Sequence, residues 1–177
     1  MRKFLSIKPS LSNGRLGWLL GLGILIAIGI YLFLLDVPIM YAIDEEENIL
    51  ISERVDADTT FTSEYIHSVV RCPIIEKLEV NDQHEMVLME SWNCSFGAGI
   101  ETEAPPGATD RMEDGFYVID NMNQVFTEIS FHPVEMSDQI LTIDDKEWNL
   151  SKEPFVGETF SLTVEEESLF IYWWNKI

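Results

Sequence analysis

The chain has 177 residues and a formal net charge of −20, a length that suits one domain with an appendage. All 31 acidic residues follow residue 35, whereas the first 35 positions hold Arg2, Lys3, Lys8 and Arg15 and no acid. A surface that acidic repels phosphate backbones, which argues against any nucleic-acid partner and for a solvated acidic shell.

Residues 16–35, LGWLLGLGILIAIGIYLFLL, contain no charge and show no polar stripe. At 1.5 Å per residue they reach about 30 Å, the thickness of a hydrocarbon core. The run is longer than the apolar part of a cleaved signal peptide, and no small-residue cleavage site follows it. The reading is an uncleaved, single-pass transmembrane anchor in the cell membrane. Basic residues precede it, and Asp36 and residues 44–47 supply acid after it. This polarity predicts a cytoplasmic N-terminus and an outer C-terminal domain. The expected partition is a cytoplasmic basic segment (1–15), the anchor (16–35), an acidic tether (36–48) and an extracytoplasmic β domain (49–177).

Past residue 48, short apolar runs alternate with polar turns, and no segment keeps a 3.6-residue period. Strands are predicted near 49–55, 61–70, 74–80, 85–96, 116–120, 126–132, 139–144, 147–150, 158–164 and 168–175. The stretch ETFSLTV (158–164) alternates cleanly, with Phe160, Leu162 and Val164 on one face. The fold class is all-β: a small sandwich or barrel of about 8–10 short antiparallel strands behind one transmembrane helix. Residues 97–115, rich in Gly, Pro and acid, read as one long loop. The last run, SLFIYWWNKI, reads as a strand apolar on both faces, with a docking surface as the rival reading.

Cys72 and Cys94 flank a predicted hairpin whose turn is Asp82-Gln83-His84. A three-residue loop pairs Val80 with Met86, Leu78 with Leu88 and Ile74 with Trp92, and sets Cys72 opposite Cys94. A two-residue loop would put the cysteines on opposite faces. The first register admits a disulfide in an oxidising compartment, and two reduced thiols are the alternative. The same register sets Glu76 against Glu90 on an apolar face. Two facing carboxylates repel, so this arrangement needs a bound cation, a buried base, a shared proton or a different register.

His67 shares its predicted strand face with Phe61, Tyr65 and Val69. Three roles are open to it: a core histidine paired to Glu76 or Glu90, a ligand-binding group beside those acids, or a catalytic base. Ser68 points away from His67 in a regular strand, and no G-x-S-x-G elbow occurs. No complete catalytic constellation appears, so an enzyme is not expected, and no cofactor is called for. The identity of any bound metal is left open by the sequence. Asp110-x-x-Glu113-Asp114-Gly115 resembles a calcium loop only in being acidic.

The series His67-Ser68-Val69, Pro73, Glu76, Glu90, Gly97-Ala98-Gly99, Pro105-Pro106-Gly107-Ala108 and residues 112–117 (MEDGFY) resembles a bacterial family of extracytoplasmic proteins, domain of unknown function 1850. The two cysteines depart from that family's pattern. Members of the family are often encoded beside TAXI-type TRAP transporters. The resemblance therefore implies an accessory role in solute transport, with a TAXI-type receptor or a TRAP membrane subunit as partner. It draws attention to His67, Ser68, Glu76, Glu90, Gly97 and Gly99. The alternative function is an extracytoplasmic module that binds or senses a small solute or cation with His67, Glu76 and Glu90.

Overall fold

A computed structural model describes residues 13–68, 71–94 and 104–176. In chain order the elements are α1 (Asn13–Leu34), β1 (Asp36–Asp44), β2 (Ile49–Arg54), β3 (Thr60–Ile66), β4 (Pro73–Val80), β5 (Met86–Asn93), β6 (Thr109–Glu113), β7 (Phe116–Phe126), β8 (Glu128–Phe131), β9 (Gln139–Ile143), β10 (Lys146–Asn149), β11 (Phe160–Ser168) and α2 (Leu169–Asn175). The chain divides into two compact units. One comprises α1 and α2, and the other is the β domain, Val37–Glu166.

The β domain is a sandwich of two sheets, ordered β2-β1-β11-β8 and β10-β9-β3-β4-β5-β7-β6. The all-β expectation is met, with 11 strands among the described residues. Both sheets contribute to one core. Met40, Ala42, Ile51, Phe131, Phe160 and Leu162 from the four-stranded sheet pack with Phe61, Leu78, Val80, Met86, Leu88, Leu141 and Ile143 from the seven-stranded one. The alternation read in 158–164 is realised: Phe160 and Leu162 are almost fully buried, and Val164 packs at the core's edge. Phe160 stacks on Phe131 with ring centroids 5.3 Å apart.

Three segments differ from the sequence reading. The expected tether at 36–48 is β1, paired antiparallel with β2, and Val37, Ile39, Met40, Tyr41 and Ala42 are buried. A continuous apolar run bounded by Asp36 and Asp44 is the mark of a strand covered on both faces. The expected long loop contains β6, joined to β7 through Asp114-Gly115, both at positive φ. An Asp-Gly pair at positive φ matches the twist of a tight hairpin. The predicted last strand is helical: Leu169–Asn175 forms α2. A short apolar run carries no periodicity that separates strand from buried helix, so its neighbours decide.

α1 holds an 18-residue stretch, Gly17–Leu34, long and apolar enough to cross a membrane. Its 22 residues give a length of about 33 Å at the helical rise. Within this helical unit, α2 starts at the C-terminal end of α1. The Leu169 N–H donates to Leu35 O at 2.8 Å, and Ser168 Oγ–H donates to Phe33 O at 2.9 Å.

Candidate functional site

The β4–β5 hairpin turns at Asp82-Gln83-His84, as the sequence implied. Asn81 Oδ1 accepts from the N–H groups of Gln83 and Glu85, both at 2.9 Å, and His84 sits at φ 59°. An Asn side chain folded back onto its own turn fixes the loop length locally. From there Val80 pairs with Met86 and Leu78 with Leu88. The register then shifts, so that Lys77 faces Glu90, Glu76 faces Ser91 and Ile75 faces Trp92. One extra residue, Met89, makes the bulge. A one-residue shift exchanges the two faces of a strand from that point on.

This bulge corrects the expected pairing of Glu76 with Glu90. The two carboxylates lie on opposite faces of the sheet. Glu90 is on the outer face, where Lys77 Nζ bonds it at 2.8 Å, Trp92 Nε1–H donates to it at 2.7 Å and Arg111 stands at 3.9 Å. Lys77 and Arg111 also flank the Trp92 ring, at 4.5 and 5.6 Å from its centroid. Burial works against the charge on Glu90, but the bonds from Lys77 and Trp92 and the nearby cations outweigh it. Its carboxyl is held below the usual range.

Glu76 takes the inner face. The registers align Leu141, Ser63, Glu76, Ser91 and Ile119 in one row across β9, β3, β4, β5 and β7. The next row holds Tyr65, Ile74 and Asn93. Ser63, Ser91 and Asn93 are buried, and Asn93 Nδ2–H donates to Ser91 Oγ at 3.2 Å. The apolar row of Phe61, Leu78 and Leu88 belongs to the core shared by the two sheets. Beyond that apolar row, Tyr65, Glu76, Ser91 and Asn93 line a cleft.

The cleft has a volume of about 310 Å³, at the small end of solute sites. Tyr65, His67, Glu76, Ser91, Asn93 and Gln124 supply its polar groups, over a floor that includes Ile74, Ile119 and Phe126. A second irregularity shapes it. Between the pairs Leu88–Gln124 and Glu90–Asp120, β7 accommodates extra residues, with Asn121 and Asn123 at positive φ. Met122 and Gln124 from this segment join the lining. Bulges that re-aim side chains are common beside functional sites.

Glu76 makes no hydrogen bond or ion pair with any described residue, and burial raises its pKa above the usual range. Tyr65 beside it is pushed up to about 12, first by burial and then by the charge of Glu76. Among the described residues no three His, Cys, Asp or Glu side chains gather as a metal site. The described lining presents hydrogen-bonding groups from Tyr65, His67, Ser91, Asn93 and Gln124 and one carboxylate, Glu76.

His67 and Ser68 fall outside the strand predicted for them, because β3 ends at Ile66. They open the turn to β4. His67 N–H donates to Cys72 O at 2.8 Å, and Arg71 N–H, at φ 56°, returns to His67 O at 2.9 Å. His67 reaches the cleft from this turn, while Ser68 is exposed and is not among the lining residues. Cys72 and Cys94 are disulfide-bonded, with Cα atoms 6.2 Å apart. The bulge removes them from direct opposition in the ladder, and Cys72 lies just before β4 where the turn can carry it to Cys94. Gly97 and Gly99 lie outside the described residues.

Sequence reasoning reached His67 and Glu76 and had Tyr65 only as a neighbour of His67 on its strand face; it missed Ser91 and Asn93, which an unbroken register places on the outer face. The signal for them was the conflict itself: two carboxylates set face to face on an apolar surface.

The fold and the cleft define an all-β sandwich domain with a polar pocket on the wider sheet, carried behind an apolar helix. The chain belongs to the family described as domain of unknown function (DUF1850), whose model matches residues 61–150. That span covers the seven strands of the wider sheet from the second residue of β3 onward, together with β8. No curated protein and no solved structure matches the chain.

Proposed function

We propose that this is a membrane-anchored extracytoplasmic protein that binds a small polar solute in the cleft of His67 and Glu76. The observation that carries the reading is Glu76: a carboxylate without a described partner, turned into a concave site among Tyr65, Ser91 and Asn93. Glu76 is half-buried, which disfavours its charge, and a ligand with an ammonium group or several hydroxyl donors would offset that cost. The role is binding rather than catalysis. Glu76 is the one carboxylate in the described lining, so the two-acid division of labour of a glycosidase is not assembled by those residues. Glu90 has no part in the site.

The test is a thermal-shift panel of amines, amino acids, polyols and sugars on the detergent-solubilised full chain. An amine or polyol should stabilise the wild type and the Glu90→Gln variant and leave Glu76→Gln unmoved. Equal response of Glu76→Gln and wild type overturns the assignment.

The anchor reading rests on α1, which carries no charge over Gly17–Leu34. The basic residues before it favour a cytoplasmic N-terminus. Resistance to alkaline carbonate extraction tests the anchor, and protease protection tests the orientation. Family membership adds a second proposal, association with a TAXI-type TRAP receptor or membrane subunit that works on the same side of the membrane. A mild-detergent pull-down from native membranes tests it. Recovery of either subunit supports the association, and its absence from an intact, folded preparation counts against it.

A further inference from the structure

We infer that α2 is a second membrane contact, seated in the leaflet that holds the C-terminal end of α1. The inference rests on the reading of α1 as a membrane span. Between Leu169 and Asn175 there is no charged side chain. Phe170, Ile171, Trp173 and Trp174 are exposed, the two tryptophans at 59% and 69%, while Tyr172 is buried. Four large apolar side chains on one helical turn or two are too much uncovered surface for water.

The structure indicates what covers them. Leu169 N–H and Ser168 Oγ–H bond to the carbonyls of Leu35 and Phe33, so α2 begins where α1 ends. Phe170 faces Phe33 at 6.3 Å and stacks on Trp174 at 6.1 Å. An apolar groove of about 420 Å³ runs between the helices, lined by Ile26, Gly29, Ile30, Phe33, Leu34 and Phe170. Gly29 leaves this groove open, with no atom within 4 Å of the place a Cβ would take. The apolar surface of α2 is thus continuous with that of α1. If hydrocarbon surrounds Ile26 and Ile30, an acyl chain occupies the groove beside them.

The flanks agree. Glu165, Glu166 and Glu167 precede the helix, and Lys176 follows it with Nζ 4.7 Å from the Tyr172 ring centroid. Tryptophan and tyrosine favour the headgroup boundary, and a terminal lysine can extend its charge to water from there. The helical form itself has a reason: in lipid the backbone must satisfy its own hydrogen bonds, which an isolated strand cannot do.

The test uses the full chain in phosphatidylcholine vesicles, with brominated lipid as a contact quencher of tryptophan. In a Trp18→Phe background, bromolipid should quench clearly more emission than in the same background with Trp173→Phe and Trp174→Phe added. Aqueous iodide should show little difference between the two. Equal bromolipid quenching of both variants, with iodide reaching Trp173 and Trp174, overturns the inference. Protection from iodide without bromolipid quenching also overturns it and points to a second copy of the chain on that face. The span is read separately, from carbonate extraction and from the quenching lost on Trp18→Phe. If α1 itself is extracted, both readings fall. If α1 is retained and Trp173 and Trp174 are not quenched, only this one does.

Discussion

Lys77 and Glu90 meet at 2.8 Å on the outer face of the wider sheet, while Glu76, the neighbour of Lys77 in β4, turns inward to the cleft. The Met89 bulge separates two acids that an unbroken ladder would have set against each other. Their environments push them in opposite directions, and so do their contributions to stability.

Glu76 has a raised folded-state pKa, caused by burial. The folded chain then holds a proton that the unfolded chain releases from about pH 4.3 upward. The sign follows from linkage: stability is lost as pH rises through the window above that value. Glu76→Gln removes the loss. Thermal melts from pH 4 to 8 should show the variant melting above wild type at neutral pH, with the gap closing toward pH 4.

Glu90 behaves in the other sense. Its lowered folded-state pKa contributes stability above the ordinary carboxylate range, which is lost as pH falls through the folded value. Glu90→Gln should therefore destabilise at pH 7 and become neutral in acid. Because Lys77 is 44% exposed, a Lys77→Met and Glu90→Gln double-mutant cycle should give a coupling of only about 0.5 kcal/mol, smaller still in high salt.

The Cys72–Cys94 bond joins positions 22 residues apart. In the chain-entropy picture, closing that loop stabilises the fold by about 3 kcal/mol. Urea unfolding of the Cys72→Ser and Cys94→Ser double variant should give a midpoint lowered to match. Because the turn of His67 is tied to Cys72 O, any solute that binds the cleft should also bind this variant more weakly.

Phe160 is 1% exposed and packs on both Phe131 and Phe155. Phe160→Ala should cost about 3–5 kcal/mol through lost burial and an unfilled cavity. Chemical denaturation measures this. A cost below about 1 kcal/mol would mean that the two sheets do not meet at this ring.

By itself the sequence determined what depends on neighbours along the chain. The uncharged run of α1 is recognisable because transfer to hydrocarbon depends on the segment's own side chains. Alternation in β11 and the Asn81 turn are likewise local, set by the pleat and by a side chain folding onto its own backbone. The Asp114-Gly115 hairpin was equally local, though the long-loop reading passed over it. Tertiary structure alone decided the rest. Past the Met89 bulge, Glu90 meets Lys77 and Arg111, from β4 and β6, on the outer face. Residues 169–175 form a helix that begins against the C-terminal end of α1, a partner their own short apolar run does not announce. The cleft gains Ser91 and Asn93 because the register shift at Met89 turns them to the face of Glu76. Such choices follow from the free energy of burying or pairing groups brought together by the fold, and no period along one strand encodes them.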